Sequence, residues 1–239
     1  MKHLILSAAA LAMTAGMALA QDTVRLGTEG AYPPYNFLND AGEVDGFERA
    51  VGDELCKRAE LTCEWVTNEW DSIIPNLVSG NYDAIIAGMS ITDERREAID
   101  FTQNYTQPDP SAYLATSADV DLEGGVIAAQ TNTIQAGFIN EMSMTLVEFA
   151  TPEETVAAVK NGEADAVLAD KAFLAPIAND DPDLVLLEKE ELIGEGIGLG
   201  LRKSDTELKE KLNAAITSMK EDGSLNALIT KWLPEGETF

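Results

Sequence analysis

Four polar or charged positions follow directly on apolar runs that read as buried strands. Glu29 follows Val24–Thr28, and Gly88, Met89 and Ser90 follow the run ending at Ala87. The turn Gln130 to Gln135 follows another such run, and Asp170 ends Ala166–Ala169. Open parallel sheets bind ligands beyond the carboxyl ends of their strands, so topology alone makes these positions candidates. Arg95 lies in the first turn of a helix that the Thr92 hydroxyl can cap. An Arg there opposes the helix dipole, and it gains if its guanidinium forks onto a bound carboxylate. The alternative is a solvated helix Arg. Asp170 is either a helix N-cap or an acceptor for an ammonium. Backbone N–H groups at the start of a helix in Asn132-Thr133-Ile134-Gln135 suit an anion, and Asn132 or Thr133 can equally be an ordinary N-cap. Tyr32 and Trp70 can sandwich a flat or cationic side chain, although aromatics at such places are often core. Glu29 suits a cationic head group, a charge-assisted bond contributing about 1.5–3 kcal/mol, or it is a loop Glu in water. A carboxylate holder, an ammonium acceptor and a further carboxylate are what a free amino acid with a cationic side chain requires.

The elements that must carry these groups follow from spacing. Phe47, Val51 and Leu55 share one helical face, and Cys63 to Thr67 reads as a strand. Asp71 or Ser72 can cap a helix through Leu77 and Val78, with Pro75 tolerated in its first turn. Ser79-Gly80-Asn81-Tyr82-Asp83-Ala84-Ile85-Ile86-Ala87 has a partner in Asn161-Gly162-Glu163-Ala164-Asp165-Ala166-Val167-Leu168-Ala169. Each follows an amphipathic helix, places Gly where that helix ends, and puts Asp-Ala before an apolar strand. A unit of helix and buried parallel strand used twice predicts two similar α/β lobes. Gln107-Pro108-Asp109-Pro110 and the region of Gly194-Glu195-Gly196 are the expected crossings. Lobe 1 then spans about 21–107 plus 197–239 and lobe 2 about 109–194, with hinges near 107–109 and 194–197. Near the C-terminus, Leu208, Leu212, Ile216 and Met219 share a helical face, and Gly223 separates that helix from another.

Composition removes several function classes. The chain of 239 residues has 16 Lys and Arg against 42 Asp and Glu, a net charge of −26. Such a chain repels nucleic acid and anionic lipid. Residues 1–20 have a cationic start, an apolar run and Ala18-Leu19-Ala20, the pattern of a cleaved signal peptide. Cleavage leaves Gln21, not a Cys, at the new N-terminus, so no lipoprotein is expected, and no later run suits membrane insertion. The single histidine, His3, leaves with that segment. This excludes His-based triads and His-based zinc sites, and no metal or cofactor is expected. Cys56 and Cys63 either close a small loop or remain two buried thiols, and C-x-x-C redox spacing is absent.

The combination of Gly27-Thr28-Glu29-Gly30-Ala31-Tyr32-Pro33-Pro34-Tyr35-Asn36-Phe37, Asp45-Gly46-Phe47, Tyr82-Asp83-Ala84-Ile85 and Met89-Ser90-Ile91-Thr92 with Arg95 resembles extracellular solute-binding protein family 3, the polar and basic amino-acid-binding proteins of ABC importers. It is most similar to the lysine/arginine/ornithine- and histidine-binding members. The resemblance implies a two-lobe periplasmic binding protein fold (type II, Venus-flytrap), each lobe an open, mainly parallel sheet flanked by helices. It implies a non-enzymatic, monomeric receptor in a Gram-negative periplasm, whose partners are a free amino acid and a membrane permease. Arg95 would hold the ligand carboxylate with the N–H groups of Ser90 and Ile134. Asp170 would hold the ammonium with the Ser90 hydroxyl and the Gly88 carbonyl. Tyr32 and Trp70 would flank the side chain, Glu29 and Gln130 would reach its far end, and Met89, Thr133 and Gln135 would complete the lining. Cys56 and Cys63 have the spacing of the family's small disulfide loop. The alternatives are an opine, cystine, glutamine or glutamate as ligand, or an arogenate-type dehydratase on the same scaffold.

Overall fold

The computed structural model describes residues 23–142 and 144–239, and the signal peptide read over residues 1–20 lies outside them. In chain order the elements begin with β1 (Val24–Thr28), β2 (Ala31–Tyr32), β3 (Asn36–Leu38), β4 (Val44–Asp45), α1 (Phe47–Arg58) and β5 (Cys63–Thr67). A 3-10 turn at Trp70–Ser72 leads into α2 (Ile73–Val78), β6 (Ala84–Ile85), α3 (Asp93–Ala98) and β7 (Asp100–Phe101). Then come β8 (Ser111–Ala115), β9 (Val126–Gln130), α4 (Ile134–Glu141), β10 (Thr145–Phe149), α5 (Pro152–Asn161), β11 (Ala166–Asp170), α6 (Lys171–Asp180) and β12 (Val185–Glu191). The chain ends with β13 (Gly200–Leu201), α7 (Thr206–Glu221) and α8 (Ser224–Trp232).

Two five-stranded sheets have the orders β5-β1-β6-β13-β7 and β10-β9-β11-β8-β12. In the first, β1 runs parallel to β5 and β6, and β13 is antiparallel to β6 and β7. In the second, β9 runs parallel to β10 and β11, and β8 is antiparallel to β11 and β12. The reversed strand in each sheet is the first one the chain forms there after crossing over. Helices cover both faces, which explains why the strands are apolar on both sides. Ala84 and Ile86 join one core cluster while Ile85 and Ala87 join another, and Val167 separates in the same way from Ala166 and Leu168.

The sequence repeat has a physical cause. Asp83 Oδ2 accepts from the backbone N of Arg25 at 2.9 Å, and Asp165 Oδ2 accepts from Val126 N at 2.7 Å. Each Asp thereby clasps the start of the neighbouring parallel strand, β1 or β9, and fixes the register of the apolar strand that follows, β6 or β11. Gly162 caps α5 with φ 75, a left-handed conformation, and Gly80 has φ 82 just past α2. At the start of α2 neither Asp71 nor Ser72 caps through its side chain, because the 3-10 turn occupies that entry.

Residues 105–106 and 196–197, next to the expected crossings, run side by side. Tyr105 N donates to Ile197 O at 2.8 Å, and Ile197 N donates to the Thr106 hydroxyl at 3.1 Å. Gly196 adopts φ +97, and a Cβ there would lie 2.6 Å from the Thr106 carbonyl oxygen, so only glycine fits. Cys56 and Cys63 form a disulfide joining the end of α1 to β5. No helix of the described residues is long and apolar enough to cross a membrane.

Candidate functional site

The carboxyl ends of β1, β9 and β11 and the segment that follows β6 face a common chamber. Eleven of the twelve residues proposed from sequence line it: Glu29, Tyr32, Trp70, Gly88, Ser90 and Arg95 from one side, and Gln130, Thr133, Ile134, Gln135 and Asp170 from the other. Met89 is the exception. It is fully buried, in a core cluster with Trp70 and Ile91. Ala87, two residues earlier, lines the chamber instead.

Asp170 stands at the N-cap position of α6, yet its side chain makes no capping bond. It turns into the chamber, where Oδ2 accepts from the Tyr32 hydroxyl at 2.8 Å and Oδ1 accepts from Gln135 Nε2 at 3.1 Å. Of the two roles open to it, the geometry therefore favours that of an acceptor. Burial pushes its carboxyl up, and Tyr32, Arg95 and Gln135 pull it back. Gln135 is held in turn by donating to Ser111 Oγ at 3.0 Å.

Thr92 caps α3 by accepting from Arg95 N at 3.1 Å. Arg95 donates to the Ser90 carbonyl at 2.9 Å and, across the cleft, to the Asn132 carbonyl at 3.2 Å. Its guanidinium lies 5.4 Å from the Trp70 ring centroid. Burial lowers it to about 10, so it stays cationic at neutral pH. Asn132 takes φ 56, which turns its carbonyl toward Arg95, and Thr133, not Asn132, caps α4 by accepting from Ala136 N at 3.2 Å.

Glu29 accepts from Gln130 Nε2 at 2.7 Å, a second bond across the cleft. Burial, with Glu69 and Asp71 nearby, pushes its carboxyl up to about 7 against that bond. The aromatics are engaged differently from a simple sandwich. Tyr32 stacks on Phe173 at 4.5 Å and on Tyr35 at 5.7 Å, presenting its hydroxyl to Asp170. Phe173 escaped sequence reading because it sits inside a helix that carries no ligand-binding signal. Among the described residues no group of three or more His, Cys, Asp or Glu side chains is gathered as a metal site.

Residues 24–235 match the sequence pattern of the bacterial extracellular solute-binding proteins, family 3. The chain belongs to that family. This family 3 protein is 31% identical over 240 residues to the "Putative ABC transporter arginine-binding protein 2" of Escherichia coli K12, covering 95% of this chain and 98% of that one. It is 32% identical over 255 residues to the histidine-binding periplasmic protein of the same organism, covering 97% of each. A solved periplasmic His/Glu/Gln/Arg/opine family-binding protein from Silicibacter pomeroyi, in complex with lysine, is 67% identical with a TM-score of 0.89, covering 90% of this chain and 100% of that one. The two-lobe fold of this family 3 protein and its kinship with amino-acid-binding periplasmic proteins of ABC transporters rest on these matches together with its sheets.

Proposed function

We propose that this family 3 protein is the exported receptor of an ABC importer and captures a basic amino acid, namely lysine, arginine, ornithine or histidine, without turning it over. One observation carries the reading: a guanidinium and a carboxylate from opposite lobes, Arg95 and Asp170, line the same chamber as a second and separately held carboxylate, Glu29. The first pair answers the ligand's carboxylate and ammonium, and Glu29 with Gln130 answers a cationic tail. Gly88, Ser90, Thr133 and Ile134 add backbone and hydroxyl partners. The names of the E. coli relatives, arginine and histidine, and the lysine in the S. pomeroyi complex support the same class of ligand. An anionic tail is disfavoured, because two carboxylates in one closed site repel.

Lobe 1 comprises about 21–107 with 197–239 and lobe 2 about 109–194, and ligand shifts the balance toward closure because only the closed form lets both lobes touch it. The mature receptor begins at Gln21, works as a periplasmic monomer and delivers to a membrane permease. A thermal-shift panel of the twenty amino acids, ornithine and opines tests the assignment. A ligand at one hundred times its Kd raises stability by about 2.7 kcal/mol, and lysine, arginine or ornithine should lead. A larger shift from glutamine or glutamate would refute the role of Glu29. Turnover of arogenate or prephenate by the purified protein would refute the non-enzymatic reading.

A further inference from the structure

Glu48 is fully buried in the first turn of α1. Among the described residues no Lys or Arg forms an ion pair with it. An ionised carboxylate in such a place is costly unless hydrogen bonds replace its water, and an apolar residue would fill the space without that cost. Three donors serve it. Gly88 N reaches Oε1 at 2.6 Å, the Tyr105 hydroxyl donates to the same oxygen, and Asn36 Nδ2 reaches Oε2 at 2.6 Å. Asn36 is also fully buried, and its Oδ1 accepts from Gly30 N at 2.7 Å. The two backbone groups at the ends of this network belong to glycines with positive φ, Gly30 at 74 and Gly88 at 63. Gly30 follows Glu29, and Gly88 leads to Ser90.

We propose, resting on the receptor reading above, that Glu48 is a positioning residue of the ligand site, its carboxylate holding Gly88 directly and Gly30 through Asn36, so that one buried group sets both ligand-facing turns of lobe 1. The network has a fixed polarity. Gly30 donates to Asn36, Asn36 donates to Glu48, and Glu48 only accepts. Glu48→Gln sets an amide donor against the Asn36 donor, and flipping Asn36 merely moves the clash to Gly30. Adding Asn36→Asp removes the clash. The new carboxylate at position 36 accepts from Gly30 and from the new amide at position 48, whose oxygen still accepts from Gly88 and Tyr105. The double variant keeps every hydrogen bond and the net charge.

Lysine affinity by calorimetry and amide exchange by NMR test this on wild type, Glu48→Gln, Asn36→Asp and the double variant. Glu48→Gln should weaken lysine by about tenfold, the effect of losing one buried charge-assisted bond. Asn36→Asp alone should weaken it further, since it sets two buried carboxylates face to face. The double variant should return to within about threefold of wild type, a recovery that simple loss of packing does not produce. In Glu48→Gln the Gly30 and Gly88 amides should exchange faster while the Leu26 amide keeps its protection. Wild-type affinity in Glu48→Gln, or a folded double variant that recovers nothing, would overturn the proposal. If the double variant does not fold, unchanged Gly30 protection in Glu48→Gln overturns it. Should wild type bind no basic amino acid, the receptor reading fails, and Gly30 exchange still decides whether Glu48 sets the turns.

Discussion

Lysine binding should expel a proton at neutral pH, and Glu29 should be its source. Burial pushes this carboxyl up to about 7, so at pH 7 about half of it carries a proton. A cationic head group beside it favours the ionised form, so the protonated half must give up its proton as lysine binds. The ionised fraction falls about tenfold between pH 8 and pH 6, and lysine affinity should fall with it. The sign for ligand-free stability is opposite. A carboxyl raised by folding stabilises the fold below its ordinary value of 4.5, and that contribution is lost as pH rises through about 7. Calorimetry at pH 7 in two buffers of different ionisation enthalpy counts the protons directly. The expected difference between wild type and Glu29→Gln is about half a proton per lysine. Asp109, pushed up to about 6 by burial, and Asp170, also pushed up by burial, are common to both proteins and cancel in the comparison. No proton release from wild type, or equal release from both, would refute the reasoning. It would show that Glu29 is already ionised, or does not meet the cation.

Two further perturbations separate site from scaffold. Arg95→Ala should weaken lysine at least about thirtyfold, since removing one partner of a buried charge pair costs about 2–5 kcal/mol. Titration calorimetry checks it, and a change below threefold would remove Arg95 from the ligand contacts. The paired change Cys56→Ala and Cys63→Ala opens a loop of seven residues' separation, which should cost about 2.5 kcal/mol in urea unfolding and leave lysine affinity unchanged, because the disulfide lies at the far end of α1.

The strand ends were legible in sequence because both faces of each sheet are covered, so Ala166–Ala169 stands out as an unbroken apolar run and Val24–Thr28 as one broken by Arg25 and ending in Thr28. The repeat was legible because Asp83 and Asp165 perform the same clasp, which requires the same residue at the same place. β12 was not legible. It is an edge strand whose Glu188, Lys189 and Glu190 face water, so it lacks the apolar signature. Met89 belongs to a run of neighbours read together, but the chain bends at Ala87–Gly88, where Gly88 has φ 63, and the Met89 side chain turns into the core. Glu48 was missed because a Glu in a helix's first turn is usually accounted for by the dipole. A signal existed: Glu48, Val51, Gly52 and Leu55 share one helical face, which places a carboxylate on the buried side.

The pairing of Tyr105 and Thr106 with Ile197 has a mechanical consequence. Two separate strands joining two bodies would permit bending, twisting and sliding. Here Tyr105, Thr106 and Ile197 bond the strands to each other, and Gly196 lets them touch at a distance no other residue allows. These bonds resist twisting and sliding of one strand past the other at this point.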